Sequence, residues 1–412
     1  MAELMNVDLA SARILADFER LSSEDVPLLD GLGRVLAEDI VASHSIPPFA
    51  NSSMDGYAVR AADLGATNTL LRVVDDIAAG TYLPKRKITP GEAARIMTGA
   101  PIPRGADAVV PMEQTDQPWL SGDRAAPPTY VTIKGSVNPG AYIRPVGEDI
   151  RAGQVVLTAG TVLTPAEIGV LAALGMAAVP VIRRPRVAII STGDELTDVG
   201  EPLSPGRIYD ANGYSLFALS VVCGAEAIRI PIARDNLDDT RARFREAVEY
   251  RPDVILSSAG VSVGTFDIVK TVLNELGEIG FWKVNLRPGK PLAYGQVSGI
   301  PFFGLPGNPV SAMVTFELFV RPALLKLGGR PDDTQTVRVV AGELIRSDGR
   351  RSYLRAILRR DGDQWVATLT GTQSSGALTS MIRADALVII PEGITTVAAG
   401  TMLDARLLRP VR

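Results

Sequence analysis

At 412 residues, 46% apolar and 21% charged, the chain exceeds one ordinary domain and is globular rather than disordered. Its 42 basic and 46 acidic side chains leave a net charge of −4 without a long basic run, which excludes nucleic acid or an acidic membrane as the main partner. A single cysteine, Cys223, excludes an intrachain disulfide and, with a single histidine, a structural Cys/His zinc site.

No run approaches the roughly 18 apolar residues of a membrane helix, and Met1–Asp8 has no signal-peptide core. The expected location is cytoplasmic. The lone His44 reads as a surface residue rather than a triad base. Any metal must then be held mainly by oxygen, which favours Mg²⁺, with Zn²⁺ on carboxylates as the alternative.

In chain order, Leu9, Ile14, Leu15, Phe18 and Leu21 predict an amphipathic helix over 8–21, capped by Asp8. Residues 51–149 are rich in proline and turn residues and read as an inserted β-domain. Val162–Gly175 predicts a helix with Thr164 as cap and Pro165 at its first position. From Arg186 the pattern alternates. Strands at 186–190, 227–232, 253–257 and 301–305 are separated by helices near 213–223, 236–250 and 267–277, the last closed by Gly277, with another from Pro309. This is the signature of a mainly parallel, doubly wound sheet. Leu327–Asp333 reads as a linker. Short strands at 337–344, 352–358, 365–369 and 387–390, with an Asp361-Gly362 hairpin turn, make a C-terminal β-domain.

Open α/β sheets bind ligands beyond the carboxyl ends of their strands. The turns there are Ser191–Leu196, Arg234–Asn236, the 258–267 loop and Leu305–Ala312, and three of them carry acids: Asp194 and Glu195, Asp235, Asp267. The 258–267 loop runs strand, Gly/Ser turn, helix, which aims backbone N–H groups at an anion. A carboxylate such as Asp267 beside bound phosphate is useful when a cation sits between them. The same loop also satisfies a turn that merely needs small residues. Asn308 can be a helix cap, Glu195 a turn cap and Lys290 a solvated charge, while Phe281 and Trp282 read as core or interface.

Ser191-Thr-Gly-Asp-Glu-Leu196, Gly260-Val-Ser-Val-Gly264 with Asp267, Arg287-Pro-Gly-Lys-Pro291 and Leu305-Pro-Gly-Asn-Pro-Val-Ser-Ala312 together resemble the molybdopterin-binding domain of the molybdopterin molybdenumtransferase (MoeA) family, related to the gephyrin E domain. Pro47–Val59, Arg95–Pro103 and Arg144–Asp149 resemble other motifs of that family, and the likeness runs in order from about residue 7 to 412. It implies a multidomain α/β subunit. An α/β molybdopterin-binding domain would take residues 1–30 and 183–327, a linking domain 31–50 and 150–182, an inserted β-rich domain 51–149, and a β-barrel-like domain 331–412.

The resemblance further implies a homodimer that inserts molybdate into adenylylated molybdopterin and releases AMP. Glu195, Asp235 and Asp267 take the family's metal and phosphate positions. Asp55, Thr98 and Asp149 take positions that face the partner subunit's α/β domain. Lys283, Arg287 and Lys290 fall at basic positions near pterin or molybdate, and Gly260, Ser262, Gly264, Pro306, Gly307, Asn308 and Ser311 fall at substrate-binding positions. An upstream adenylyltransferase and acceptor molybdoenzymes are the implied protein partners. Two departures stand out: Ala259 where glycine is common, and Arg287 where lysine is frequent. The alternatives are a molybdopterin adenylyltransferase, whose free-standing domain resembles residues 183–327, and a non-catalytic pterin-binding scaffold.

Overall fold

The structure, a computed structural model, describes residues 4–81, 86–117, 126–258 and 266–410, and of Phe266, Asp267 and Phe281 the backbone alone. The chain divides into two compact units: Met1–Val26, Gly31–Ala37 and Pro180–Arg412 form the first, Pro27–Asp30 and Glu38–Val179 the second.

The first unit begins with helix α1 (Val7–Ala16) and continues through β1 (Arg186–Ser191), α2 (Ala211–Val222), β2 (Glu226–Arg229), α3 (Leu237–Glu249) and β3 (Val254–Ser258). Then follow α4 (Phe266–Leu276), β4 (Gly277–Lys283), β5 (Pro291–Val297), β6 (Ile300–Leu305), α5 (Pro309–Thr315) and α6 (Arg321–Leu327). The six strands form one sheet in the order β2-β1-β3-β6-β5-β4. The first four run parallel, and β5 lies antiparallel to both β6 and β4.

Strand β1 explains the layering. Val187 and Ile189 pack with α1, α2 and α5 on one face; Ala188 and Ile190 pack with α3 and α4 on the other. Alternate side chains of a strand point to opposite faces, so a strand covered on both sides must be apolar throughout, as 187–190 are. Tyr294 ties α1 to the sheet. Its hydroxyl donates to Asp17 at 2.8 Å, and its ring lies 5.0 Å from Phe303 and 5.4 Å from Trp282. Trp282 thus packs against the core; the Phe281 side chain lies outside the described residues.

Several sequence expectations change. Helix α1 stops at Ala16, and its cap is Asn6, whose side chain accepts from the Asp8 and Leu9 amides at 2.9 and 3.2 Å. Asp8 instead occupies the first turn, where it complements the helix dipole and pairs with Arg351 at 2.6 Å. Gly277 does not close α4 as a C-cap but opens β4. A side chain there would place its Cβ 1.8 Å from the Gln296 carbonyl oxygen across the hairpin. The β4–β5 hairpin itself escaped the sequence reading.

After α6, β7 (Thr336–Ala341), β8 (Arg351–Asp361), β9 (Gln364–Leu369), β10 (Ala386–Ile390) and β11 (Met402–Leu407) pair in the order β8-β9-β7-β11-β10, and β10 returns to β8. The sheet is therefore a closed barrel filled by residues such as Leu354, Ala356, Val388 and Ala405. Strand β11 is an addition to the strands expected from sequence.

In the second unit the strands Ala108–Pro111, Gly56–Val59, Glu92–Ile96, Thr69–Ile77 and Tyr130–Ile133 pair in that order. Gly56 is required where it stands, because a Cβ would fall 1.9 Å from the Val110 carbonyl oxygen. The helix Pro165–Ala173 has the expected Thr164 cap, completed as a capping box by Glu167. His44 contacts the neighbouring Ser43 hydroxyl at 3.0 Å.

Glu92 is nearly buried and accepts from the Thr89 hydroxyl at 2.7 Å, the Thr89 amide at 3.1 Å, Arg72 at 2.6 Å and Arg86 at 3.3 Å. The Thr89 hydroxyl foremost, opposed by desolvation and helped by the Thr89 amide and the two arginines, holds its carboxyl at about 2 instead of 4.5. A carboxyl depressed on folding adds stability above its unfolded value, and that stability is lost as pH falls through the folded one. The denaturant midpoint of Glu92→Gln is therefore expected below wild type at pH 7, with the gap closing between pH 4.5 and 2. A constant gap across that range would remove the ionised carboxylate from the account.

Candidate functional site

Beyond the carboxyl ends of β1, β3 and β6 the first unit opens a cleft of about 780 Å³. Its wall includes Glu195 after β1, Ser258 at the end of β3, Pro306, Gly307, Asn308 and Ser311 around the start of α5, and Arg287 and Lys290 from the β4–β5 connection. Seven residues named from the sequence thus converge there, drawn from segments more than a hundred positions apart.

Local geometry explains each placement. Gly193 has φ +146°, and a Cβ on it would lie 2.2 Å from Oε2 of Glu195, so the glycine lets that carboxylate fold over the backbone. Gly289 has φ +107°, and a Cβ there would meet the Thr315 hydroxyl at 2.4 Å, which permits the chain to turn sharply between Arg287 and Lys290. Asn308 occupies the cap position of α5, yet its side chain makes no capping bond. Its exposed amide remains available to a ligand. The turn is held from behind by Asn212, whose Nδ2 donates to the Gly307 carbonyl at 2.7 Å.

Asp235 is not on the cleft wall. Its carboxylate accepts from the Asp194 amide at 3.3 Å, and the Asp235 amide donates to Asp194 at 3.2 Å, so the turns after β1 and β2 are clasped reciprocally. Lys283 is exposed on β4, opposite Pro291, and is likewise not on that wall. Ala259, Gly260, Ser262, Gly264 and the Asp267 carboxylate lie outside the described residues, although the Asp267 backbone lies in the first turn of α4.

The barrel supplies cleft residues that the sequence reading missed: Arg350, Gln373, Ser374 and Ser375. The signal was the Gly- and hydroxyl-rich run Thr370-Gly-Thr-Gln-Ser-Ser-Gly376, composed like the other cleft loops. The Ser375 carbonyl accepts the Val310 amide at 3.0 Å, so this run is fastened to the first turn of α5. Arg350 donates to the Leu286 carbonyl at 3.0 Å and to Asp348 at 3.1 and 2.5 Å, and Asp348 also lies 4.0 Å from Arg287. Burial pushes the Asp348 carboxyl up, but its Arg350 hydrogen bonds and the Arg350 and Arg287 charges hold it below the ordinary value.

Behind them lies Arg355, fully buried and without a carboxylate partner among the described residues. It donates to the Ser374 carbonyl at 3.0 Å and the Ser380 hydroxyl at 3.1 Å, and Gln373 bonds both its amide and its carbonyl. Burial, with the nearby Arg287 charge, pushes its guanidinium down to about 10.

In the second unit, Asp55 and Thr98 meet. Oδ1 of Asp55 accepts from the Thr98 amide at 2.6 Å and from its hydroxyl at 2.9 Å. They flank the paired ends Gly56 and Ile96 of adjacent strands. Asp149 is exposed, with its amide donating to the Ile46 carbonyl at 3.1 Å.

Chemically, the cleft offers guanidinium and ammonium groups on one wall and a carboxylate, amides and hydroxyls on the other, which suits a polar ligand carrying several negative charges. The Glu195 carboxylate makes no hydrogen bond among the described residues, so its oxygens fit a hard divalent cation. No group of three or more His, Cys, Asp or Glu side chains able to hold a metal occurs among the described residues.

Comparison with known proteins agrees along the whole chain. Residues 5–175 match the MoeA N-terminal region (domain I and II), residues 188–326 a probable molybdopterin binding domain, and residues 338–408 the MoeA C-terminal region (domain IV). The molybdopterin molybdenumtransferase 2 of Mycobacterium tuberculosis is 42% identical over 95% of this chain and 97% of its own length. The chain belongs to the molybdopterin molybdenumtransferase family. The Bacillus subtilis molybdopterin molybdenumtransferase is 35% identical over 98% of this chain and 94% of its own. A crystal structure of the molybdopterin biosynthesis moea protein from Pyrococcus horikosii superposes with a TM-score of 0.82 at 34% identity, covering 99% of this chain and 100% of that one. As a molybdopterin molybdenumtransferase family member the chain has the expected multidomain α/β architecture ending in a β-barrel.

Arg355→Met should strip donors from the loop acceptors it serves, at a cost of about 1–3 kcal/mol in unfolding free energy. Amide hydrogen exchange should accelerate at residues 372–375 and not in strand 92–96 of the second unit. Unchanged exchange at 372–375 would show that the loop is held by its other contacts alone.

Proposed function

We propose that the protein inserts molybdate into adenylylated molybdopterin, cleaving the adenylate and releasing AMP. The observation that carries this reading is the convergence of Arg287, Lys290 and Arg350 with Glu195 and the 306–311 turn on one cleft of a molybdopterin-binding domain.

Substrates of this class bring a pyrophosphate and a molybdate dianion to one place, so charge repulsion is the main obstacle. Arg287 presents paired N–H donors to oxyanions, Arg350, already bonded to Asp348 and the Leu286 carbonyl, adds its positive charge beside it, and Lys290 adds a point charge. Glu195 is the described residue suited to hold Mg²⁺, or another divalent cation such as Zn²⁺, with Asp235 and Asp267 as its proposed companions. The chemistry such a cation would supply there is neutralisation of charge on the phosphates. Water attacking the pyrophosphate leaves AMP and the molybdopterin phosphate. The dithiolene sulfurs then replace molybdate oxygens, which take up protons from the thiol groups and from solvent and leave as water. Asn308 and the Ser311 hydroxyl, both on the cleft wall, are the substrate's proposed polar contacts. Gly260, Ser262 and Gly264 are its proposed phosphate contacts and Lys283 a further basic one.

The reading includes a four-domain subunit with the boundaries given from the sequence, working as a cytoplasmic homodimer. Among the described residues no helix is long and apolar enough to cross a membrane. Exposed apolar side chains on the first unit support the dimer: Val199, Leu203, Ile208 and Val221 are about half exposed and Val222 is 80% exposed. Asp55, Thr98 and Asp149 would face the α/β domain of the second copy, completing its site.

Molybdate-dependent AMP release from adenylylated molybdopterin is the direct test, and Arg287→Ala should raise the molybdate concentration for half-maximal release by about tenfold or more. Pterin affinity should fall less. Loss of pterin binding with unchanged molybdate dependence would move Arg287 to the pterin pocket. A shared site has its own check: Asp55→Ala and Asp267→Ala chains, each inactive alone, should recover activity when mixed, because one of the two sites in a heterodimer is intact. Heterodimers that form without recovery contradict sharing.

A further inference from the structure

A second recess in the first unit, of about 290 Å³, shares no residue with the cleft. Its wall carries four arginines, Arg34, Arg183, Arg184 and Arg330, set among apolar side chains. Two are neutralised internally. Arg34 pairs with Glu24 and donates to the Ile182 carbonyl at 2.9 Å, and Arg183 grips Asp253 through two bonds of 2.7 and 2.6 Å. The guanidinium groups of Arg184 and Arg330 have neither a hydrogen bond nor an ion pair among the described residues. Arg34 is 9% exposed, and its buried Nε also lacks an acceptor. In direct contact the recess gathers four cations against two carboxylates, with Glu226 acting on Arg183, and Glu317 and Asp333 on Cys223, only through space.

Arg330 is not simply capping a helix. Helix α2 ends beside it, and that end is closed by the Cys223, Gly224 and Ala225 amides bonding back to Leu219, Val221 and Ser220. No α2 carbonyl receives a bond from Arg330. The guanidinium lies over the backbone of Gly224, where a Cβ would come within 2.5 Å of Nη1. The glycine opens the space that the charge occupies. Grouping uncompensated arginines costs repulsion unless an anion joins them, and planar guanidinium forks match pairs of oxygens on a tetrahedral anion. The volume is at the lower limit of small-molecule sites, which suits a compact anion with its water rather than a pterin nucleotide.

We infer that this recess binds a small tetrahedral oxyanion or a phosphate monoester group, at a site separate from the cleft. The test uses the full-length protein. Inorganic phosphate is titrated calorimetrically into wild type, into R184Q/R330Q and into the cleft variant R287Q, and crystals are soaked in tungstate to locate the anion by anomalous scattering. The wild type should show an anomalous peak between Arg184 and Arg330. R184Q/R330Q should lose that peak and weaken one class of phosphate site about tenfold or more, while R287Q keeps both. AMP binding the recess more tightly than phosphate would support the site with a nucleotide phosphate as its source; phosphate binding more tightly would support it with the free anion. If the double variant does not fold, exposed Arg184→Gln alone carries the comparison. Tungstate in the cleft only, or phosphate affinity unchanged by the substitutions, overturns the inference.

Discussion

Strands β1, β3 and β6 lie between two layers of helices, so their side chains have no room for polar work on either face. Ladder hydrogen bonds and apolar packing use up everything between the strand ends. Groups that must meet a charged ligand are displaced into the turns beyond the carboxyl ends. There Glu195, Ser258 and the 306–308 turn come together because parallel strands deliver their carboxyl ends to one rim. The cleft is a geometric result of the sheet being buried twice.

The C-terminal barrel is bound into that arrangement. Leu286 and Arg287 pair in parallel with Arg351 and Ser352 at the start of β8, so the segment carrying a cleft arginine is also a barrel strand partner. The Ser375 bond to Val310 makes the same connection from the other side. Arg355 sits beneath both, a cation held by neutral acceptors in a dry place, and its charge adds to that of Arg287 on the anion-facing wall.

What could be read from the sequence follows from this division of labour. Runs such as Val187–Ile190 are legible because a strand buried on both faces permits nothing polar. Thr164-Pro165 is legible because capping chemistry is local. The β4–β5 hairpin was hidden because Gly277, Gly280 and Gly295 look like turn residues, whereas Gly277 and Gly295 are there because cross-strand carbonyls would lie 1.8 and 2.1 Å from a Cβ. Choosing Asp8 over Asn6 as the cap of α1 failed for a smaller reason: two competent residues stand two positions apart, and only the backbone decides between them. The cleft acids and basic residues were named from strand-end turns and from resemblance, yet the contributions of Arg350 and the 373–375 run depend on a barrel docking that no local pattern encodes. Asp55 and Thr98 stand 43 positions apart and meet only because their strands pair.

Cys223 closes α2 and is 4% exposed, and burial pushes its thiol up to about 12. It is the only cysteine in the chain. For a protein proposed to bring molybdenum onto a dithiolene, that has a chemical consequence. Molybdenum on a dithiolene is bound through sulfur, and a free thiolate on the protein would compete for the metal. Keeping the one sulfhydryl protonated and inside leaves the substrate's sulfurs without a rival thiolate on the protein.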